Sequence, residues 1–268
     1  MKMKISKFDP RIANISNSQG GFTLPELAIV IVIIGLITGG ILQGRTIYHN
    51  VQIKSVYSEV QSVQAAYSSF KKKYNALPGD MRNAQQKLAG CTGNCTNGVT
   101  NDSFIGEVNQ LINAPISSSG ASSENILFFY HLKQAGLIKD VDPQSPISAS
   151  EWGKVAPKAG SAQGGLVVKA VNQDICNPSG EIADMTGVWL VWQQDPFAPA
   201  DQSTIVTAKD AAMLDAKYDD GLPGYGDIRA GGANSNPVAV NDGCRDSLKS
   251  YSNNGNCYMY FRISRDIN

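Results

Sequence analysis

GFTLPE, residues Gly21 to Glu26, runs directly into LAIVIVIIGLITGGILQG, residues 27–44. The second stretch has 18 residues and no charge. Coiled as a helix it is about 27 Å long, against a hydrocarbon core of about 30 Å. Adding Phe22–Glu26 brings it to a full membrane span. Upstream, residues 1–21 carry Lys2, Lys4, Lys7 and Arg11 against Asp9, a net of +3 (four minus one). A basic head before an apolar run is a targeting signature. It keeps the N-terminus cytoplasmic and sends the remainder outward. Over all 268 residues Lys+Arg and Asp+Glu are both 23. That neutrality argues against nucleic acid as a bulk electrostatic partner.

Glu26 breaks the apolar pattern. A carboxylate inside a membrane helix costs about 2.5–3.5 kcal/mol on insertion scales. No Lys or Arg lies within reach on the same helix. Cleavage before Phe22 supplies a partner: a new α-amine, which the Glu26 of a neighbouring subunit can meet. The buried charge then serves as a register device. Pro25 falls in the first turn of that helix, where its missing N–H costs nothing.

GFTLPE followed at once by the apolar run resembles the leader signal of type IV prepilins and type II secretion pseudopilins. The resemblance covers only about the first 50–75 residues. It implies that a prepilin peptidase cuts after Gly21, that Phe22 becomes the methylated N-terminus, and that Glu26 guides assembly. It also implies other pilin or pseudopilin subunits and an inner-membrane assembly platform as partners. Pro25 replaces the family's more usual aliphatic residue before the glutamate, and the 21-residue leader is longer than the shortest ones. The competing readings are an ordinary signal anchor and a secretory signal cut near Thr38–Gly40. Neither accounts for Glu26 or for the Gly21–Phe22 step.

Beyond Arg45 the pattern changes character. Val56, Val60, Val63, Tyr67, Phe70 and Tyr74 are spaced 4, 3, 4, 3, 4, which is one helical face. Lys54, Glu59, Gln61, Gln64, Lys71 and Lys72 lie off it. No proline follows Pro25 before Tyr74, so one helix is predicted over residues 22–74, about 80 Å long. Its membrane half is 22–44, and Leu77-Pro78-Gly79 ends it. Gly35, Gly39, Gly40 and Gly44 form two Gly-x-x-x-Gly spacings. They leave three readings open: close helix packing, local melting on assembly, or the ordinary glycine content of membrane helices.

The remaining residues, 75–268, are expected to form one exported domain after leader 1–21 and helix 22–74. Short helices are predicted at Asp80–Ala89, Ser103–Asn113 and Ser123–Gly136, with a linker at Ser117–Ser123. Ile126, Leu127, Tyr130 and Leu137 supply the buried face of the last. Thr207 to Asp210 reads as a capping-box-like start to a helix ending near Lys217. Strands are predicted at Gly165–Val171, Val188–Gln193, Asp227–Ala230 and Tyr258–Ile263, the last with two distinct faces. Helices followed by strands indicate an α+β fold, with an antiparallel sheet against the long helix. The resemblance implies the same pilin-like design.

Four aspartates, Asp215, Asp219, Asp220 and Asp227, lie in DAKYDDGLPGYGD. They offer oxygens to calcium, although the spacing is not that of an EF-hand. Turns built by Asp-Gly and Pro-Gly are the competing and favoured reading. No other cofactor is implied.

Of the five cysteines, Cys91, Cys95, Cys176, Cys244 and Cys257, an odd one is left over. Export makes disulfides the default, with connectivity not deducible from sequence. Cys91 with Cys95 is one candidate pair. The resemblance implies Cys244 with Cys257, since pilins often close a C-terminal loop next to the last strand. Lys71–Lys73 reads as a solvated helix face. His49 and His131 are the only histidines. No catalytic constellation is visible, so an enzyme is not expected. The predicted function is a structural subunit of a type IV pilus-like or pseudopilus fibre. It would sit first in the bacterial inner membrane and then in a periplasmic or surface fibre. The alternative is a membrane-tethered periplasmic binding domain or adhesin that never polymerises.

Overall fold

A computed structural model describes residues 21–92, 95, 102–106, 116, 124–142, 151–172, 175–176, 182–183, 185–202, 204–232, 243–246 and 250–266. The chain divides into two units, residues 1–47 and 48–268. Helix α1, Leu24–Tyr74, passes through both.

In the first unit, Leu24–Ile41 is long and apolar enough to cross a membrane, and none of it is buried within the chain. The α1 helix is unbroken at its glycines. A Cβ at Gly35, Gly39, Gly40 or Gly44 would meet nothing within 4 Å.

The second unit is built on the amphipathic half of α1. Ile53, Val56, Val60, Val63, Tyr67 and Phe70 are all buried. Each such side chain contributes about 1.5–3 kcal/mol on burial. The helix stops where Asn75 turns left-handed (φ 47°) and its N–H bonds Lys71 O at 2.9 Å. An asparagine tolerates that conformation as a helix end.

Against α1 lies α3, Glu124–Gln134. The Tyr67 and Phe128 rings stack at 5.9 Å between centroids. Residues Glu124–Leu132 are buried without exception. The predicted one-sided face is therefore too narrow, because Phe128, Phe129 and Leu132 are buried as well. A helix enclosed on every side has no polar stripe for periodicity to detect.

The sheet is antiparallel throughout. Its strands are β1 (Gly165–Val171), β4 (Gly187–Gln193), β5 (Val206–Thr207), β6 (Ile228–Gly231) and β7 (Asn256–Ser264). The order is β1-β4-β7-β5, with β6 also pairing β7. A separate two-stranded ribbon joins β2 (Ile175–Cys176) and β3 (Ile182–Ala183).

Register gives β7 two unlike faces. Tyr258, Tyr260 and Arg262 share a side with Trp189 and Arg229, while Met259 and Phe261 share the other with Leu190 and Trp192. Both faces are buried. The apolar side turns toward α1, where Trp192 and Ile53 line one cavity. On the other side the Trp189 ring is approached by Arg262 and Arg229, with guanidinium carbons 4.4 and 5.3 Å from its centre. A flat cation over the indole face keeps both buried groups favourably placed.

Two helical predictions need correction. Asp80–Ala89 contains only the four-residue α2, Ala84–Lys87. Residues 102–106 are bends, not helix, and Ser103 has φ 65°. There the Ser103 N–H bonds Asp80 Oδ2 at 2.8 Å, and the Phe104 N–H bonds Asp102 Oδ1 at 3.0 Å. Side-chain acceptors thus take the donors a helix would use. Residues 107–113, the linker 117–123 and leader residues 1–20 lie outside the described set.

Candidate functional site

The residues expected to direct processing and assembly stand at the head of α1. Gly21, Phe22 and Thr23 precede the first turn, and Phe22 is 81% exposed. Thr23 is the residue before the helix, and Glu26 lies three positions on. The Thr23 N–H donates to Glu26 Oε2 at 2.8 Å, and the Thr23 hydroxyl donates to the same oxygen at 2.7 Å. The carboxylate thus reaches back to the amide ahead of the helix, half of the reciprocal Ser/Thr-x-x-Glu arrangement. It satisfies a donor that the start of any helix leaves open. The motif Thr23-Leu-Pro-Glu26 is legible in the sequence as this box, and it gives Glu26 an intramolecular partner besides the expected intermolecular one.

Further along the chain, helix α4 (Ala208–Tyr218) begins as its sequence predicts. The Asp210 N–H bonds Thr207 Oγ1 at 3.2 Å, and the Thr207 hydroxyl bonds Asp210 Oδ2 at 2.8 Å. His49 Nδ1 lies 3.9 Å from Asp210 Oδ2, and the Tyr57 and Tyr218 rings stack at 3.7 Å. The two pairs are eight residues apart on both helices. Residues 49–57 of α1 and α4 therefore run side by side in the same direction.

The four aspartates do not act as one set. Asp215, Asp219 and Asp220 each place an oxygen within 4.8 Å of the other two. The loop already uses these carboxylates. Asp215 is buried, and it accepts from Gly221 N–H at 3.1 Å and from the Tyr251 hydroxyl at 2.7 Å. Burial, with Asp220 and Asp219 beside it, pushes its carboxyl up to about 6, against the two hydrogen bonds. Burial, reinforced by the Asp215 charge, also raises the Tyr251 hydroxyl well above the usual phenol range. Asp219 Oδ2 accepts from the N–H groups of Asp227 and Ile228 at 2.6 and 2.7 Å, and Asp220 Oδ1 from Leu222 N–H at 2.8 Å. Asp227 turns away from the other three. Its Oδ1 meets Arg262 Nη1 at 3.3 Å and Arg265 Nη2 at 3.2 Å. Of the four aspartates offered to calcium, three come together and Asp227 stands apart, and their hydrogen bonds are those of a turn.

Cys91 is bonded to Cys95 and Cys244 to Cys257, with Cα–Cα separations of 5.4 and 5.1 Å. Cys257 lies in β7 and Cys244 in the loop before it, which ties that loop to the sheet. The side chain of Cys176 lies outside the described set.

His131 has a role the sequence did not reveal. It is buried on α3 and uses both ring nitrogens. The Gly79 N–H donates to Nδ1 at 2.9 Å, so Nε2 carries the proton and donates to Cys95 O at 2.8 Å. Burial pushes its pKa down to about 4. The neutral ring thereby fastens the segment after α1 and the Cys91–Cys95 loop to α3. Those partners are 52 and 36 residues away. No local pattern announces contacts at that separation.

A long N-terminal helix, an antiparallel five-strand sheet and short accessory helices make an α+β protein of pilin-like fold, with an apolar N-terminal helix suited to membrane anchoring. The family model of the prokaryotic N-terminal methylation motif matches residues 16–42. This is the signature of type IV pilin and pseudopilin precursors, a structural and typically non-enzymatic class. No curated protein and no solved structure matches the chain.

Proposed function

We propose that the chain is a subunit of a type IV pilus-like or type II secretion pseudopilus fibre. Prepilin peptidase cuts it after Gly21, Phe22 is methylated, and an inner-membrane platform assembles it with other subunits into a periplasmic or surface fibre. The observation that carries this reading is the methylation motif, residues 16–42, laid over an apolar stretch, residues 22–44, whose one carboxylate is Glu26. Apolar packing of residues 22–44 between neighbours supplies the cohesion. Pairing of Glu26 with the Phe22 amine of the next subunit supplies the register, because a charge in hydrocarbon demands a partner. In the single chain Thr23 holds that carboxylate, so assembly exchanges two intramolecular donors for one ammonium group. The ammonium brings a full opposite charge, which the two Thr23 donors do not, and a carboxylate left unneutralised in hydrocarbon is costly. The test is the N-terminal mass of the membrane-fraction protein. A mature chain beginning at methylated Phe22 supports the reading. An intact Met1 or a start near Ile41 refutes it.

A further inference from the structure

Two exposed patches on the second unit have opposite charge and matching aromatic character. The first is the turn between α4 and β6. Asp220 is exposed there, and Leu222 and Tyr225 are 43% and 49% exposed. The turn is rigidly held. Asp219 accepts the N–H groups of Asp227 and Ile228, Asp220 accepts that of Leu222, and the Tyr225 N–H bonds Leu222 O at 3.1 Å. Its apolar tips are therefore presented, not collapsed. The neighbouring cation, Lys217, is placed over the Tyr218 ring at 5.2 Å.

The second patch is the end of α1. Lys72 and Lys73 are exposed, and Lys73 Nζ stands 5.0 Å from the centre of the half-buried Tyr74 ring. Among the described residues no ion pair engages Lys72, Lys73 or Asp220.

Within one copy the two patches sit at different levels along α1, and no ion pair joins Asp220 to Lys72 or Lys73. The acidic turn follows Tyr218, which stacks on Tyr57 of α1. Fifteen residues separate Tyr57 from Lys72, about 22 Å of helix axis. A patch and its complement at different levels of one molecule make a head-to-tail contact, which propagates into an open filament unless rotation closes it. We infer that the turn carrying Asp220, Leu222 and Tyr225 docks on the Lys72–Tyr74 end of α1 in a second copy of this chain. Asp220 faces the two lysines, and Tyr225 and Leu222 cover Tyr74. Opposite charges at such a rim steer encounter and fix register, and the aromatic contact holds it. The inference rests on the fibre reading and adds to it a contact outside the membrane helix.

The test uses the full-length chain in producing cells, with the photo-crosslinker p-benzoylphenylalanine in place of Tyr225. Irradiation should give an adduct between two copies that maps to residues 70–76 of the second. Lys72→Glu with Lys73→Glu should lower its yield at least fivefold, and adding Asp220→Lys should restore at least half. An adduct elsewhere, or a yield indifferent to the lysine reversals, overturns the docking. Sheared fibre is scored in parallel. Normal fibre with a misplaced adduct removes this contact and leaves the fibre reading standing, whereas wild-type chain that yields no fibre removes that reading itself.

Discussion

Acid should loosen the folded unit through His131. Its pKa is pushed down to about 4 by burial, against an ordinary 6.5. The unfolded chain therefore takes up the proton first as pH falls. Stability from the neutral ring is complete above about 6.5 and is lost progressively as pH drops to about 4. The whole interval is worth about 3 kcal/mol, and the loss at pH 5 alone is about 2 kcal/mol. The structural cause is specific. A protonated ring has a donor at Nδ1, which then faces the Gly79 N–H at 2.9 Å instead of accepting from it. The assay is urea unfolding at pH 7.5, 6, 5 and 4.5, followed by tryptophan fluorescence, for wild type and His131→Gln. Glutamine keeps one donor and one acceptor but does not titrate. Carboxylate effects are common to both chains and cancel. The stability gap between the two proteins should narrow by about 2 kcal/mol between pH 7.5 and 5. Parallel curves would show that the ring is not held neutral by its site, and the reasoning would fall.

Gly79 has φ 95°, and a Cβ there would lie 2.5 Å from Glu124 O, so Gly79→Ala should destabilise the folded unit by about 2–3 kcal/mol in chemical unfolding; a change below 0.5 kcal/mol would contradict the placement of that turn. Cys257→Ser opens the loop from Cys244, and the chain-entropy relation puts the loss at about 3 kcal/mol, measurable as a lower thermal midpoint; an unchanged midpoint would remove the bond from the account. Glu26→Leu should insert and be clipped normally but remain in the membrane fraction, and its incorporation at wild-type level would refute the amine pairing. Thr23→Val removes the hydroxyl donor to Glu26 and leaves the amide donor, so it should loosen that carboxylate by about 1 kcal/mol, read as faster exchange of the residue-23 amide, while leaving cleavage intact; an unchanged exchange rate there would contradict the role given to the hydroxyl.

Elements with a strong local period were legible in the sequence. The alternating valines and aromatics of residues 56–74 formed the predicted helical face, and the four longest strands lie where the β-branched and aromatic runs lie, within one or two residues. Thr207-Ala-Lys-Asp210 predicted the start of α4 because a cap is a contact across three residues. The Gly21–Glu26 motif and the apolar run are likewise contiguous, so charge, length and spacing could be read together. What the sequence left open depends on contacts between distant residues. Residues 102–106 have helix-compatible composition, but Asp80, more than twenty positions earlier, takes the Ser103 N–H and the backbone bends. Asp227 looked like a fourth oxygen ligand until the sheet brought Arg262 and Arg265 to it. His131 read as one more residue of a core helix, and only folding placed Gly79 and Cys95 at its two nitrogens. Short-range hydrogen bonding and hydrophobic period are encoded within a turn or two of chain. Pairing of buried polar groups is decided by which elements the core brings together.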